Sequence, residues 1–325
     1  MSHAIRIHET GGPDVLKYEE ITVPPPGPGE ILIRHTAIGL NFIDIYHRSG
    51  LYPLPLPFIP GTEAAGVVEA LGEGVTALKK GDRVAYASGP GSYTEQRVMP
   101  AGRVVKIPDG ISDETAAAAM VKGMTAEYLL NRTYRVKRGE TILFHAIAGG
   151  VGLIACQWAK SLGAIVIGTA GSAEKMEIAR QHGCDHVINY RTEDFVARVK
   201  EITGGRGVPV VYDSVGKDTF MASLDCLQPR GLMVSFGNAS GPVEAFSPGT
   251  LSTKGSLFLT RPSLWHYTSD DNEYAASAKA LFDMIKSGKI KISIERRYQL
   301  KDAAQAQRDL ETRKTTGSSI LICGS

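Results

Sequence analysis

Short apolar runs alternate with turn-forming residues along the first third of the chain. EILIRHTAIG, AAGVVEALG, GDRVAYA and RVVKIP have the length and the residue types of β-strands. The stretches PPPGPGE, GEGV and GPGS separate them and provide the glycines and prolines that turns need. This pattern predicts a small, barrel-like β domain.

After this region the apolar runs begin to alternate with helix-like segments. TILFHA, AIVIGTA, HVINY, VPVVYDSV and GLMVSFG are the strand candidates, and their alternation with helices predicts a parallel sheet covered on both faces. DNEYAASAKALFDMIKSGKI predicts one more helix, with Gly288 near its C-terminus. The segment that follows it predicts strand, helix and strand, and could return to the first domain.

A glycine-rich turn joins the first of these strands to a helix, in FHAIAGGVGLIACQWAK. Apolar residues recur at helical spacing after the turn, and Gly163 follows as a C-cap. A β-α-β unit of this kind binds the diphosphate of a dinucleotide on the first-turn amides of the helix. A side chain at Gly149 or Gly150, just before Val151, would hold the phosphates away.

The motif is A-x-x-G-G-V-G, with Ala146 at the first glycine position, and Gly152 would allow close helix–strand packing. A tight turn without a ligand is the alternative interpretation.

The end of the second strand indicates which nucleotide would bind. An NAD site usually has an acidic residue there, whereas this strand ends in GTAGSAEK. Gly171 is followed by Ser172 and Lys175, a hydroxyl and an ammonium that suit a 2′-phosphate, so NADPH is the predicted cofactor. Alternatively, Ser172 caps the next helix and Lys175 is a solvated charge of its first turn.

Three further loops follow parallel strands and should line the cofactor, because ligands bind outside the carboxyl ends of such strands. Their candidate residues are Tyr190, Ser214, Val215, Phe236, Gly237 and Asn238.

Composition and charge exclude several classes of protein. A net charge of +2 without long basic runs gives no reason to expect nucleic acid or an anionic membrane as a partner. The start, MSHAIRIHET, is too polar for a secretion signal, and no apolar run of about 18 residues predicts a membrane span. The four cysteines form no CxxC pair, which argues against a disulfide framework and favours the reducing cytoplasm.

Several motifs resemble one family along almost the whole chain. GTEAAGVVEALGEGV, GDRV and AGGVG are similar to the medium-chain dehydrogenase/reductase superfamily. NFIDIYHRSGLYP, ACQWAK, VVYDSVG, CLQPRGLMVSFGN and TRPSLW resemble its zeta-crystallin-type quinone oxidoreductases, in the bacterial NADPH-dependent branch. The resemblance implies an α/β protein with two domains. These would be a GroES-like, β-rich catalytic domain (1–123 and 263–325) and a Rossmann domain (124–262) with a doubly wound parallel sheet that binds NADPH.

The chain departs from the zinc alcohol dehydrogenases of that superfamily. Where those enzymes carry a zinc-binding cysteine and histidine, this sequence has Asn41 and Thr62, which are poor zinc ligands. Glu63 and His47 remain, but two groups do not make a metal site. We therefore expect no metal.

The expected reaction is the reduction of a quinone by hydride transfer from NADPH. A quinone is already electrophilic, so the step needs mainly proximity and orientation, and no catalytic triad or carboxylate pair is required. Asn41 could donate a hydrogen bond to a quinone carbonyl, and Tyr46 and Tyr52 could stack on the ring and donate a proton. A plain turn residue at Asn41 and loop packing at Tyr52 are the alternatives.

The resemblance implies further cofactor contacts. The NFIDIY segment, with Phe42, Ile43 and Asp44, would lie beside the nicotinamide, as would Tyr128. Arg313 would reach the 2′-phosphate. Core packing of Tyr128 and an exposed helix-end charge at Arg313 are the competing interpretations.

Three other functions stay open from the sequence. The same hydride donor could reduce activated alkenes such as enals or enones. The chain could also be an NADPH-binding protein related to crystallins or RNA binders, although it lacks interleaved basic and aromatic residues. A zinc dehydrogenase is the weakest alternative. The resemblance also implies a homodimer, in which the segment GSLFLTRPSLW would pair across the two-fold axis.

Overall fold

The fold, a computed structural model, is described for residues 2–324. Its strands are β1 Ser2–Ile7, β2 Leu16–Ile21, β3 Glu30–Gly39, β4 Glu63–Leu71, β5 Arg83–Ala87, β6 Gln96–Pro100, β7 Val105–Lys106, β8 Thr141–Phe144, β9 Ile165–Ala170, β10 His186–Asn189, β11 Val208–Asp213, β12 Leu227–Ser235, β13 Phe258–Thr260, β14 Ile294–Gln299 and β15 Ser318–Ile322.

Its α-helices are α1 Phe42–Ser49, α2 Asp113–Tyr128, α3 Gly150–Leu162, α4 Ala173–Gln181, α5 Phe195–Ile202, α6 Phe220–Leu224, α7 Gly249–Thr253, α8 Leu264–Tyr267, α9 Asp271–Lys286 and α10 Ala303–Glu311. Single 3₁₀ turns occur at Pro13–Val15, Ala101–Arg103 and Leu300–Asp302, and a π-helical turn at Leu129–Thr133 directly follows α2.

The described chain divides into two compact units. The first, here called the β-rich unit, contains the chain up to Met124, then Thr268–Lys286 and the chain from Ile292 onward. The second, called the parallel-sheet unit, contains Thr125–Tyr267 and Ser287–Lys291. The sequence prediction placed the domain boundaries at 123/124 and 262/263.

The β-rich unit is built on a seven-stranded sheet in which β14, β15, β3, β4, β5 and β7 are neighbours in that order, with β6 paired to β3. The strand pairs are antiparallel, except that β14 runs parallel to β15. Apolar side chains of β3, β4 and β5, including Ile33, Val68 and Tyr86, are buried in its core. Pairing of Ile320 with Gly39 joins β15 to β3, which confirms that the C-terminal segment returns to the first domain.

The parallel-sheet unit has the strand order β10-β9-β8-β11-β12-β13, and every pair in it is parallel. Its central strands β8, β9 and β11 are largely buried, with Leu143, Ile167 and Val211 in the core, as expected where helices cover both faces of a sheet. The chain moves from β8 to β9 in one direction and later to β11 in the other. The carboxyl end of β8 is therefore the topological switch point, where open α/β sheets bind their ligands.

Most elements follow the sequence pattern closely, and two strands differ from it. RVVKIP forms only the two-residue strand β7, because Pro108 lacks the amide that a longer ladder needs. GLMVSFG belongs to a strand that already begins at Leu227. The register of β11 against β12 shifts between Val208 and Val210, and such an irregularity accommodates Pro229 within the strand.

Among the described residues, no helix combines the length and the hydrophobicity that crossing a lipid bilayer requires.

Candidate functional site

The glycine turn after β8 presents the start of α3 without any capping side chain. Gly149 is the N-cap residue of α3, and as a glycine it supplies no side-chain hydrogen bond to the first turn. Its own amide donates to the carbonyl of Ala146 at 2.9 Å, which closes the turn. The N-cap residue thus has no side chain that could occupy the first-turn amides of Gly150 and Val151. An anionic group fits here, because these amides and the helix dipole both favour negative charge.

Close packing of the backbone explains the third glycine. An ideal Cβ placed on Gly152 would lie 2.5 Å from the carbonyl oxygen of Ile147 and 2.6 Å from that of Ala146. Gly152 thus lets the start of α3 pack closely on the backbone of the turn that follows β8, whereas the sequence predicted close packing of the helix on a strand. Ala146 adopts a left-handed backbone conformation, with φ of 52°, at the position where related motifs carry glycine.

Four predicted cofactor residues lie at or near the end of β9. The hydroxyl of Ser172 accepts a hydrogen bond from the amide of Lys175 at 3.3 Å, so Ser172 does cap α4. An ideal Cβ on Gly171 would lie 2.5 Å from the hydroxyl oxygen of Tyr190, which shows how closely the tyrosine packs on that glycine. The partly exposed Lys175 stands in the first turn of α4. This capping bond does not prevent Ser172 and Lys175 from also binding a phosphate.

The loops after β11 and β12 pack closely against each other at the carboxyl ends of these strands. The fully buried carboxylate of Asp213 accepts hydrogen bonds from the amide of Val215 at 2.7 Å and the hydroxyl of Thr219 at 2.8 Å. A Cβ on Gly237 would approach the carbonyl oxygen of Ser214 to 2.5 Å. The structure thus brings together the predicted residues of both loops, namely Ser214, Val215, Phe236, Gly237 and Asn238. Asp213, which organises the first loop, was not among the predicted site residues.

His145 is a second residue that the predicted site did not include. Its imidazole is fully buried at the end of β8, 3.0 Å from the hydroxyl of Thr169 and 2.9 Å from that of Ser223. Burial lowers the pKa of His145, so the ring is neutral at pH 7 and ties the glycine turn to β9 and α6. A histidine inside the apolar run ILFHAIA was the one available sequence signal.

Tyr128 lies in a buried aromatic stack of the parallel-sheet unit. Its ring is parallel to that of Tyr267, with 4.4 Å between the centroids, and the guanidinium of Arg132 lies 5.1 Å from the Tyr267 ring. Burial raises the pKa of Tyr128. The packing interpretation is therefore correct, while contact with a nicotinamide stays a prediction. The π-helical turn that follows is a feature often found at functional sites.

In the β-rich unit, the NFIDIY segment forms the start of α1. Asn41 is the N-cap residue, and its amide donates to the Asp44 carboxylate at 2.9 Å. The same carboxylate accepts the hydroxyl of Tyr93 at 2.9 Å. Burial raises the pKa of Asp44 to about 7. Because Asp44 has no exposed surface and its side chain already serves the fold, its cofactor contact stays a prediction, as do those of Phe42 and Ile43.

A buried charge cluster surrounds the side chain of Asn41. Its amide nitrogen Nδ2 donates to Oε1 of Glu63 at 2.8 Å, and the ammonium of Lys122 lies 2.7 Å from the same oxygen. The amide of Val121 donates to Oε2 of Glu63 at 2.6 Å. Glu63 has no exposed surface, and Asn41 and Lys122 are almost completely buried. Asn41 is thus more than a plain turn residue.

The same cluster bears on the question of a metal. Residues 2–324 contain no group of three or more histidine, cysteine, aspartate or glutamate side chains placed to hold a metal ion. Glu63, which the sequence offered only as a zinc ligand, has Lys122 as its counter-charge.

The predicted substrate-contacting tyrosines lie together. Tyr46 and Tyr52 meet edge to face, with 5.2 Å between the ring centroids, and Phe42 lies 6.3 Å from Tyr46. The amide of Tyr52 donates to the carbonyl of Tyr46 at 3.1 Å, which fastens the loop to α1. These three rings form an aromatic cluster at α1, and aromatic rings of this kind can stack on a flat ligand.

Arg313 follows α10 with a left-handed backbone, at φ of 59°, and its side chain is exposed. This position matches the helix-end interpretation. Its contact with a 2′-phosphate stays a prediction.

Comparison with known proteins follows the same division of the chain. The sequence profile of the alcohol dehydrogenase GroES-like domain matches residues 27–109, and that of the zinc-binding dehydrogenase family matches residues 150–279. A quinone oxidoreductase of Pseudomonas aeruginosa is 54% identical over 99% of this chain and 100% of its own length. A 2-haloacrylate reductase of a Burkholderia species is 48% identical, with 99% of each chain covered.

One solved structure is similar in both sequence and fold. The quinone oxidoreductase of Escherichia coli, crystallised with NADPH, has a TM-score of 0.97 and 53% identity, and the match covers 98% of this chain and 99% of that one.

Proposed function

We propose a function from one premise: this chain belongs to the quinone oxidoreductases of the medium-chain dehydrogenase/reductase superfamily. It is an oxidoreductase that reduces quinones with NADPH. The observation that carries this conclusion is the uncapped start of α3 at Gly149 and Gly150, in a chain whose E. coli relative was solved with NADPH.

The residues of the parallel-sheet unit fit NADPH. Gly149, Gly150 and Val151 would hold the diphosphate with main-chain amides, and a Cβ at the turn would fill that cradle. Ser172 and Lys175 stand where an NAD site would carry an acidic residue, and a hydroxyl and an ammonium complement a 2′-phosphate. Bound NADPH supplies the hydride from its nicotinamide. We also propose that the loops after β11 and β12, Tyr128 and Arg313 contact NADPH.

The β-rich unit provides the groups that would act on a quinone. Asn41 donates a hydrogen bond to one carbonyl oxygen, which withdraws electrons from the ring and favours hydride addition. Tyr46 and Tyr52 pack against the ring, exclude water from one face, and carry hydroxyl groups that can donate a proton. The quinone is itself a strong electrophile, so these residues have only to orient it and to satisfy its oxygens.

The test of this function is a substrate survey with both nicotinamide cofactors. We expect the purified protein to oxidise NADPH with 1,4-benzoquinone and with naphthoquinones, and to prefer NADPH to NADH. Preference for NADH would contradict the cofactor assignment, and absence of turnover with every quinone would contradict the substrate class.

Reduction of an activated alkene is the second candidate. The similarity to a 2-haloacrylate reductase over 99% of each chain favours it, and the same hydride donor would serve. Turnover of 2-haloacrylate, enals and enones beside the quinones separates the two functions. A kcat/KM that is higher for the alkenes would transfer the assignment to them.

Lys175→Glu should shift the cofactor preference. Reversing this charge replaces attraction for the 2′-phosphate by repulsion, so we expect NADPH to bind about 10-fold or more weakly, a change of roughly 1.4 kcal/mol, while NADH binding is unchanged. Calorimetric titration measures both dissociation constants. Lys289→Glu, at an exposed position of the same unit, is the matched control. Equal losses in the two variants would show that only the overall charge matters.

We also propose a homodimer formed through the edge of the parallel sheet. β13 is the last strand of that sheet, and Phe258 and Leu259 on it are 61% and 39% exposed. An apolar edge strand of this kind favours pairing with a second copy. Sedimentation equilibrium should give twice the mass of the chain, and a monomer would contradict the proposal.

The cytoplasm is the proposed location. The support is that all four cysteines are free thiols, as is usual where the surroundings are reducing. Cell fractionation would test it.

A further inference from the structure

None of the roles proposed above for the β-rich unit uses the buried ion pair beside Asn41. We propose that Glu63 and Lys122 are positioning residues, which fix the side-chain amide of Asn41 so that its remaining N–H can bind a quinone carbonyl. This inference rests on the proposed function, because it assigns Asn41 to the substrate.

The hydrogen bonds define one orientation of the Asn41 amide. Oε1 of Glu63 accepts from Nδ2 of Asn41 at 2.8 Å and from Nζ of Lys122 at 2.7 Å. A carboxylate has only acceptor oxygens, so it can pair with the NH₂ end of the amide and not with its carbonyl end. Rotating the amide by half a turn would bring two oxygen atoms together. Lys122 strengthens this preference, because its ammonium also donates to this oxygen.

The surroundings prevent the cluster from adjusting. The amide of Val121 holds the other carboxylate oxygen at 2.6 Å. A Cβ on Gly39 would lie 2.2 Å from Oε1, so the main chain of β3 packs directly on the carboxylate. The main-chain amide of Asn41 is held by Asp44 at 2.9 Å. Both ends of Asn41 are thus fixed, and one N–H of its NH₂ group is left for a ligand.

Stability alone does not account for the pair. Replacing a buried ion pair by apolar residues is often neutral or stabilising, because desolvation offsets the attraction between the charges. A fixed donor direction is a benefit that an apolar pair would not give. Preorganised donors bind a carbonyl oxygen without reorienting at the moment of reaction.

The experiment is a mutant cycle that compares the pair with Asn41. Its variants are Glu63→Gln combined with Lys122→Met, which removes both charges at once, then Asn41→Ala, and then all three substitutions together. Binding of 1,4-naphthoquinone to the protein saturated with NADP⁺ is measured by calorimetry, because the oxidised cofactor cannot reduce the ligand. The kcat/KM for the same quinone is measured with NADPH.

We expect Asn41→Ala and the double variant each to weaken naphthoquinone binding about 10-fold, as loss of one buried hydrogen bond would. The triple variant should bind no more weakly than Asn41→Ala, since groups that act through one residue are not additive. NADPH affinity should change in none of them. Glu114→Gln is the control: Glu114 lies on α2, as Lys122 does, and the substitution breaks an ion pair with Arg297 of β14, so this variant should bind the quinone as the unmodified protein does.

Three outcomes would overturn the inference. The double variant could bind naphthoquinone normally, the losses could add in full in the triple variant, or Asn41→Ala could have no effect. In each of these cases NADPH-dependent quinone turnover would persist, whereas its complete absence from the unmodified protein would contradict the proposed function itself. If the double variant does not fold, Glu63→Asp keeps the charge opposite Lys122 and withdraws the carboxylate from Asn41. The same loss of quinone affinity is expected for it, and normal affinity would again overturn the inference.

Discussion

Lys122→Met alone should lower the free energy of unfolding of the β-rich unit by about 3–5 kcal/mol, the usual cost of breaking one side of a buried ion pair. The substitution leaves the carboxylate of Glu63, which has no exposed surface, without its counter-charge. Both tryptophans, Trp158 and Trp265, belong to the parallel-sheet unit, so their fluorescence does not follow this change. Unfolding of the β-rich unit is instead followed by hydrogen exchange of the β3 and β4 amides, measured by mass spectrometry.

Two variants make this measurement decisive. Adding Glu63→Gln to Lys122→Met removes the remaining charge and should restore much of the stability. Lys106→Met breaks a pair with Asp82 in which the lysine is exposed, and should cost about 1 kcal/mol. If Lys122→Met cost no more than Lys106→Met, the cluster would not be an ion pair shielded from water, and the positioning role of Glu63 would lose its basis.

The elements of the fold were predictable from the sequence wherever the signal is local. β3 spans the same residues as EILIRHTAIG, and α3 runs from Gly150 to Leu162 with Gly163 as its left-handed C-cap. Apolar periodicity, branched residues and glycine act within a few positions of the chain, so reading them requires no knowledge of tertiary contacts. The glycine turn after β8 is a local signal of the same kind, and it marks the topological switch point of the sheet.

The partners of the site residues could not be predicted in this way. Lys122 lies in AAAAMVKGM, a run that resembles any buried helix. The role of Lys122 depends on its ion pair with Glu63, which lies on a distant strand. Asp213 was visible only as the end of a strand, yet its carboxylate organises the following loop. Periodicity identifies which face of an element is buried, but it does not say which distant side chain neutralises a buried charge.

For Ser172, Tyr128 and Arg313 the sequence left a structural role and a ligand role open, and the fold shows the structural role of each. Ser172 does cap α4, and its capping bond does not exclude a role toward phosphate. Tyr128 is packed in a stack, and Arg313 is an exposed charge beyond a helix end. In these cases the packing role follows from the fold, while a ligand role depends on a binding measurement.

Gly152→Val should abolish tight NADPH binding, with an affinity at least about 100-fold lower, or roughly 2.8 kcal/mol. The new side chain would require α3 to withdraw from the turn, since even its Cβ would lie 2.5 Å from the carbonyl oxygen of Ile147. Displacement of the helix start moves the amides that would hold the diphosphate. Overpacking should also cost about 1–3 kcal/mol of stability in the parallel-sheet unit. Calorimetry gives the affinity, and the fluorescence of Trp158, which lies on α3, follows unfolding.

Gly149→Ala separates the loss of the phosphate cradle from the loss of packing. A Cβ at this position would lie 3.2 Å from the carbonyl oxygen of Ala146, which a small shift can relieve, so the loss of stability should be limited to about 1 kcal/mol, the usual cost of alanine at an N-cap. NADPH affinity should nevertheless fall about 10-fold or more, because the methyl group stands where the diphosphate would contact the main chain. Gly249→Val, at the start of α7 and with no close contact beyond the Ser247 hydroxyl at 3.4 Å, is the control for both variants. Unchanged NADPH affinity in Gly149→Ala would show that the cofactor does not approach this turn.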